Sequence, residues 1–202
     1  MEINLNGSIK SGEWHFKVYN YNSERGVPGA IVNNVWRRGE RIWDTNSFTQ
    51  GSFSASFGKL TSLNNIKYSF FRTHYVNNDD KQIKIDNLYK QKELYLSSAN
   101  QFSLFSWWQF SASYDFMWNT LDADVYGFAK PDRLTNMLSA ATAIDYGILK
   151  FQGSLLGTFI HDRLKGQQSP KDKNVVTPAA YLSLSPLKNH NLSIRAFYKR
   201  SF

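Results

Sequence analysis

Cysteine is absent from the 202-residue chain, which excludes disulfides, thiol nucleophiles and cysteine-based metal sites. That absence is compatible with the cytoplasm or with a cell-envelope protein that avoids misoxidation. Long apolar runs are missing as well: none approaches the about 18 residues that a membrane-crossing helix needs, and the mean hydropathy is negative. The opening residues, MEINLNGSIK, have neither the basic start nor the apolar stretch of a secretory signal. Either the protein is not exported, or this chain is not the whole of it. Acidic residues are few beside basic ones, 16 against 24, giving a net charge of +8. Such a balance suits an anionic partner (nucleic acid, lipid headgroups or an acidic ligand) without choosing among them.

Several familiar chemistries are missing too. The glycines of RGVPGA (25–30) are not followed by Gly-Lys-Ser/Thr, so they do not make a phosphate-binding loop. Gly26, Pro28 and Gly29 read as turn formers. His15, His74, His161 and His190 show no metal-ligand spacing. The acidic pairs Asp79-Asp80 and Asp122-Asp124, with His161-Asp162, read first as turn chemistry. The sequence therefore assigns no catalytic residue, no metal site and no cofactor.

What is abundant is aromatic surface: 15 Phe, 11 Tyr and 6 Trp, 16% of the chain. Much of it falls on a period of two, the signature of a strand whose faces meet different surroundings. Trp14, Phe16 and Val18 alternate with His15, Lys17 and Tyr19. Trp108, Phe110, Ala112, Tyr114, Phe116 and Trp118 alternate with Gln109, Ser111, Ser113 and Asp115. Similar registers predict ten strands, near 2–10, 13–21, 44–57, 64–76, 91–98, 107–118, 134–145, 149–160, 177–185 and 191–200.

The connections alternate in length. Tight ones are expected near 11–12, 58–63, 99–106, 146–148 and 186–190, and long ones of roughly 14 to 22 residues near 22–43, 77–90, 119–133 and 161–176. In an up-and-down sheet this puts every tight turn at one end and every long loop at the other. The pattern predicts an all-β fold, an antiparallel up-and-down transmembrane β-barrel segment with short periplasmic turns, long extracellular loops and aromatic girdles. Trp14, Trp107, Trp108 and Tyr146 would form one girdle, and Tyr21, Trp43, Trp118 and Phe159 the other. A soluble β-sandwich shares the alternation, but its strands are usually shorter and its loops need not alternate.

Within the long connections, Arg37, Arg38 and Arg41 with Trp36 and Trp43 could contact phosphates and stack on bases, or meet an anionic ligand at a barrel mouth. Three functions follow: a receptor, a complete ten-stranded outer-membrane protease using His161 and loop aspartates, or a soluble β-rich nucleic-acid-binding domain.

The segment YNYNSERGVPGAIVNN, followed by RRGERIWDTNSFTQGSF, resembles the mid-barrel region of TonB-dependent outer-membrane receptors. The likeness is to the Bacteroidetes type related to cobalamin and siderophore receptors. The elements that carry it are Ser23, Arg25, Gly26, Val27, Pro28 and Gly29, then Arg41, Trp43, Asp44, Asn46, Phe48 and Gln50. The last strand, SIRAFYKRSF, resembles one that in this family leads into an R-x-P motif.

The resemblance implies a non-enzymatic transport protein of the cell outer membrane, in contact with outer-membrane lipid and a small-molecule nutrient such as a cobalamin, ferric siderophore or haem, and not with nucleic acid. It implies that the TonB complex acts only through a plug domain, which this chain does not contain. A signal peptide and TonB box are likewise missing, and about ten strands stand where the family has 22. Residues 1–202 thus read as one partial β-barrel domain, an internal fragment whose outermost strands lack partners. Ligand contacts are expected at Arg25, Trp36, Arg37, Arg38, Arg41 and Trp43, then at Tyr126, Arg133 and Arg163, all assigned to long extracellular loops.

Overall fold

The computed structural model describes residues 1–26, 40–77, 85–164, 171–186 and 192–200. They form ten strands: β1 (Glu2–Ile9), β2 (Gly12–Gly26), β3 (Glu40–Phe57), β4 (Leu60–Asn77), β5 (Ile85–Phe105), β6 (Trp108–Ala123), β7 (Pro131–Tyr146), β8 (Leu149–Leu164), β9 (Lys171–Leu184) and β10 (Ile194–Lys199). All belong to one antiparallel sheet in which spatial order equals chain order. This is the up-and-down, all-β arrangement expected from the sequence. The sheet is not closed: among the described residues β1 pairs only with β2, and β10 only with β9.

Two-residue turns join the short-turn ends. Gly58 and Gly147 open two of them with φ of 60° and 62°, a conformation that costs glycine little. The turn between β5 and β6 is Ser106-Trp107, not a connection spanning 99–106. The ladder slips by one residue between Ser103 and Phe105. That bulge breaks the alternation at Leu104 and hides the end of the strand.

At the other end the strands run further than the alternation indicates. Residues 22–26, 40–43, 85–90, 119–123, 131–133, 161–164 and 171–176, expected in loops, are strand. The physical reason is that both faces become polar there, so the contrast that marks a strand fades while the backbone ladder continues. The turn expected at 186–190 falls mostly outside the described residues.

Cross-strand register sorts the side chains. Phe16 pairs with Gly51, Gly51 with Ile66, Ile66 with Leu96, and Leu96 with Phe116, so all five share a face. The same face carries Ile3 and Leu5, Leu138, Leu155 and Leu182. Every apolar set picked out by alternation lies on this one side. The opposite face is rich in Ser, Asn, Gln, Lys and Tyr. Ser113 shares a hydrogen bond of 2.7 Å with Ser139 across it, Asn65 donates to Ser97 at 3.1 Å, and Tyr95 donates to Asp115 at 2.7 Å.

The apolar face is not uniform. Ser62, Asn64, Ser98 and Asn100 form a small polar island near the short-turn end, with Asn64 donating to Ser62 and Asn100 to Ser98. Near its long-loop end that face also turns polar, with Asn20, Asn22, Arg72, Lys90, Asp132 and Arg163. Between the two ends lies an apolar belt.

Almost nothing is buried. Among the described residues the buried apolar side chains are Ala55, Val76 and Ala123, while Leu138 and Ile66 are 57% and 54% exposed. A soluble domain hides the apolar face of a sheet beneath a second layer. Among the described residues no second layer covers it.

Rings mark the belt's edges. At the short-turn end Phe105 stacks on Trp107 at 5.2 Å, Trp107 meets Tyr146 edge-on at 5.3 Å, and Trp108 lies 6.0 Å from Trp107. Trp118 at the far edge donates its indole N–H to Asp132 at 2.7 Å. Tyr21, expected in the same girdle, instead lies on the polar face opposite Asn46.

Candidate functional site

The two most capacious grooves among the described residues of the polar face are similar in size. One, of about 530 Å3, lies toward the short-turn end among small or amide side chains including Ser111, Ala141, Ala143, Gln152, Ser154 and Ala179. The other, of about 550 Å3, lies toward the long-loop end and is lined by Gln91, Glu93, Met117, Asn119, Leu121, Pro131, Arg133, Asp162 and Leu164. The second combines charge, amides and apolar surface, the mixture that orients and holds a small molecule.

Strands β5 to β8 build this second groove. Glu93 stands opposite Asn119, Asn119 opposite Arg133, and Arg133 opposite Asp162, so one row of four polar side chains crosses four strands. Arg133 forks onto Asp162, with Nε and Nη2 donating to the two carboxylate oxygens at 2.6 and 2.7 Å. The other face carries Asp132 and Arg163 at this height, so the pair stands beyond the apolar belt. The hydrogen bonds from Arg133 hold the Asp162 carboxyl below its ordinary range, and those bonds raise the guanidinium in turn. The fork fixes the orientation of Arg133, while Glu93 has no hydrogen bond or ion pair with a described residue.

A second cluster occupies the polar face of β2 to β4. Tyr19 stacks on Phe48 at 5.2 Å, and the ammonium groups of Lys17 and Lys67 lie 5.8 and 5.1 Å from the Phe48 ring. Lys17 also pairs with Glu2 at 2.8 Å.

The ligand-contact residues expected from the sequence are divided. Trp36, Arg37 and Arg38 lie outside the described residues. Tyr126 is in the 124–130 connection and fully exposed. Arg25, Arg41, Trp43, Arg133 and Arg163 are on strands, not in loops, because the ladders continue past the apolar belt.

Only Arg25 and Arg133 face the polar side. Arg25 pairs with Asp44 at 3.1 Å, and Asp44 also accepts from Thr73 at 2.8 Å. Arg41, Trp43 and Arg163 project from the opposite face. Arg163 donates to His161, which is hydrogen-bonded to Asp172. Trp43 lies 5.3 Å from the His74 ring, and His74 bonds Asp86 at 2.7 Å.

Asn119 and Leu121 were missed because the expected strand stopped at 118, and Gln91, Glu93 and Met117, which lie inside expected strands, were missed because ligand contacts were sought only in the long connections. The available signal was parity, since Met117 and Asn119 continue the odd-numbered polar set of Gln109 to Asp115. Among the described residues no group of three His, Cys, Asp or Glu side chains is placed to hold a metal ion.

Comparison with known proteins adds one informative likeness. The structure of BauA, the ferric preacinetobactin receptor from Acinetobacter baumannii, superposes on 93% of this chain with a TM-score of 0.61 at 10% sequence identity. The chain spans 37% of that receptor's length. At this identity the match establishes a shared fold alone: the ten-stranded sheet has the architecture of part of that structure. No protein-family model and no curated protein matches the sequence.

Proposed function

We propose that this chain is part of a TonB-dependent outer-membrane receptor of the Bacteroidetes type, a barrel segment that helps to bind and admit a scarce small-molecule nutrient. The observation that carries the reading is a ten-stranded sheet with one exposed apolar belt, one polar face and almost no buried core. Such a sheet needs lipid on the first face and an aqueous or protein-filled lumen on the second. The ferric siderophore receptor likeness supports the same reading.

In this reading the belt faces lipid and the two-residue turns face the periplasm. The groove around Arg133 and Glu93 lies at the extracellular end of the lumen, where a polar nutrient would be met. The small-residue groove at the other end leaves room for a plug domain, through which the TonB complex acts. The outer edges of β1 and β10, unpaired among the described residues, fit an incomplete wall, because lipid heavily penalises unpaired backbone groups.

The chain is proposed to bind and transport and not to catalyse. His74 and His161 project from the belt face, away from the groove, which disfavours a rim protease. The exposed belt disfavours a soluble nucleic-acid binder.

Equilibrium dialysis of the detergent-solubilised chain against haemin, cyanocobalamin and a ferric catecholate tests the assignment, since all three are coloured. One of them should bind saturably, and more weakly to Arg133→Ala and Glu93→Ala variants. Saturable binding unaffected by both substitutions would place the ligand elsewhere. Peptide cleavage lost on changing His161 would favour the protease.

A further inference from the structure

On the belt side of the sheet, just beyond the last apolar row, three cations stand together. Arg72 on β4 is directly opposite Lys90 on β5, and Lys92 follows on the same face opposite Phe70. All three are exposed. Like charges directly opposite one another destabilise a sheet, and none of the three makes an ion pair with a described residue. Asp122 stands directly opposite Lys90 on the other side from Arg72, but its carboxylate is drawn to Lys130 at 2.7 Å, and Asp86 is engaged by His74 at 2.7 Å. Glu24 lies 4.0 Å from Arg41. Beside Arg72, a groove of about 300 Å3 is bounded by Trp43, Thr45 and His74.

We propose that Arg72, Lys90 and Lys92, with the groove beside Trp43, hold the phosphate-bearing headgroup of an anionic lipid in the outer leaflet. The inference rests on the membrane reading given above and adds a partner to the outside of the wall. Three arguments carry it.

First, the cluster's height is right for a headgroup, since Lys92 shares its row with Phe70 while Lys90 and Arg72 lie one row further from the belt. Long basic side chains at that height run their apolar stems along the belt and carry their charge into the headgroup layer. Second, a phosphate among the three would turn an unfavourable cation cluster into charge-assisted hydrogen bonds, with Arg72 able to fork onto two oxygens. Third, Trp43 offers a ring at the boundary between acyl chain and headgroup, where indoles are enriched.

The test uses the full chain in phosphatidylcholine bilayers, with spin-labelled phosphatidic acid or spin-labelled phosphatidylcholine as probe. Electron paramagnetic resonance reads the fraction of each label immobilised at the protein perimeter. The unaltered chain should prefer the phosphatidic acid label by about five-fold or more, the scale of one basic side chain near an anionic surface. The R72Q/K90Q/K92Q chain should lose that preference while immobilising the phosphatidylcholine label as before. A K17Q/K67Q/K150Q chain, altered equally in charge but on the polar face, should keep it.

Equal preference in the unaltered and R72Q/K90Q/K92Q chains would overturn the site and leave the membrane reading standing. Loss of preference in the polar-face variant to the same extent would overturn it too, since net charge alone would then suffice. Absence of any immobilised lipid for either label would overturn the membrane reading and the site with it.

Discussion

Arg133 on β7 faces Asp162 on β8 across the ladder, the guanidinium forked onto the carboxylate at 2.6 and 2.7 Å. The pair anchors the wall of the long-loop groove on the polar face. Both side chains are partly solvated, at 54% and 30% exposure, so their coupling should be modest. A double-mutant cycle of Arg133→Ala and Asp162→Ala, read by chemical denaturation, should give about 0.2–1 kcal/mol.

The same pair predicts a pH dependence. Because the folded Asp162 carboxyl lies below its unfolded value, its stabilisation is complete above the ordinary aspartate range, near about 3.9. It is lost as the pH falls through the lowered folded value. The stability difference between the unaltered chain and Arg133→Gln should therefore shrink on acidification and stay constant between neutrality and mild acid. A difference unchanged at the acid end would contradict the assignment.

Gly7 makes room for a ring. A Cβ built on it would overlap the Trp14 indole, which lies across the β1–β2 ladder. Gly7→Val should displace Trp14 and cost about 1–3 kcal/mol. A shift in tryptophan emission together with a lowered denaturation midpoint would report it; unchanged values for both would show that the ring moves aside freely.

Among the described residues nothing pairs with the outer edges of β1 and β10. An open sheet that holds in mild detergent should then not withstand SDS, and the chain should run at the same position on SDS gels with and without boiling. A faster-migrating, protease-resistant unboiled band would mean that ten strands close into a complete barrel.

Much of this architecture is legible from alternation alone. The set from Trp108 to Trp118 fixes the facing of β6, and the register carries that assignment to every neighbouring strand. The long-loop ends are less legible. Around Arg41, Trp43, Arg133 and Arg163 both faces are polar, so nothing in the local pattern distinguishes an extended ladder from a loop. The β5 bulge at Leu104 conceals a strand end for a different reason, since one extra residue inverts the parity.

Candidate ligand residues suffered most from this. Basic and aromatic chemistry selected Arg41, Trp43 and Arg163, but only pairing reveals that they face away from the groove. Asp162, which faces into it, looks like an ordinary loop aspartate until β8 is given its full length, and Glu93 like an ordinary strand charge until register sets it in one row with Asn119, Arg133 and Asp162.

The central claim is that one face of the sheet meets lipid and the other does not. Since the chain has no native cysteine, adjacent positions can be tested singly: Leu138→Cys and Leu155→Cys on the belt, Ser139→Cys and Ser154→Cys on the polar face. With the chain in lipid bilayers, a membrane-impermeant maleimide should label the two serine positions and spare the two leucine positions. Equal labelling at all four, or labelling of the leucine positions alone, would contradict the account.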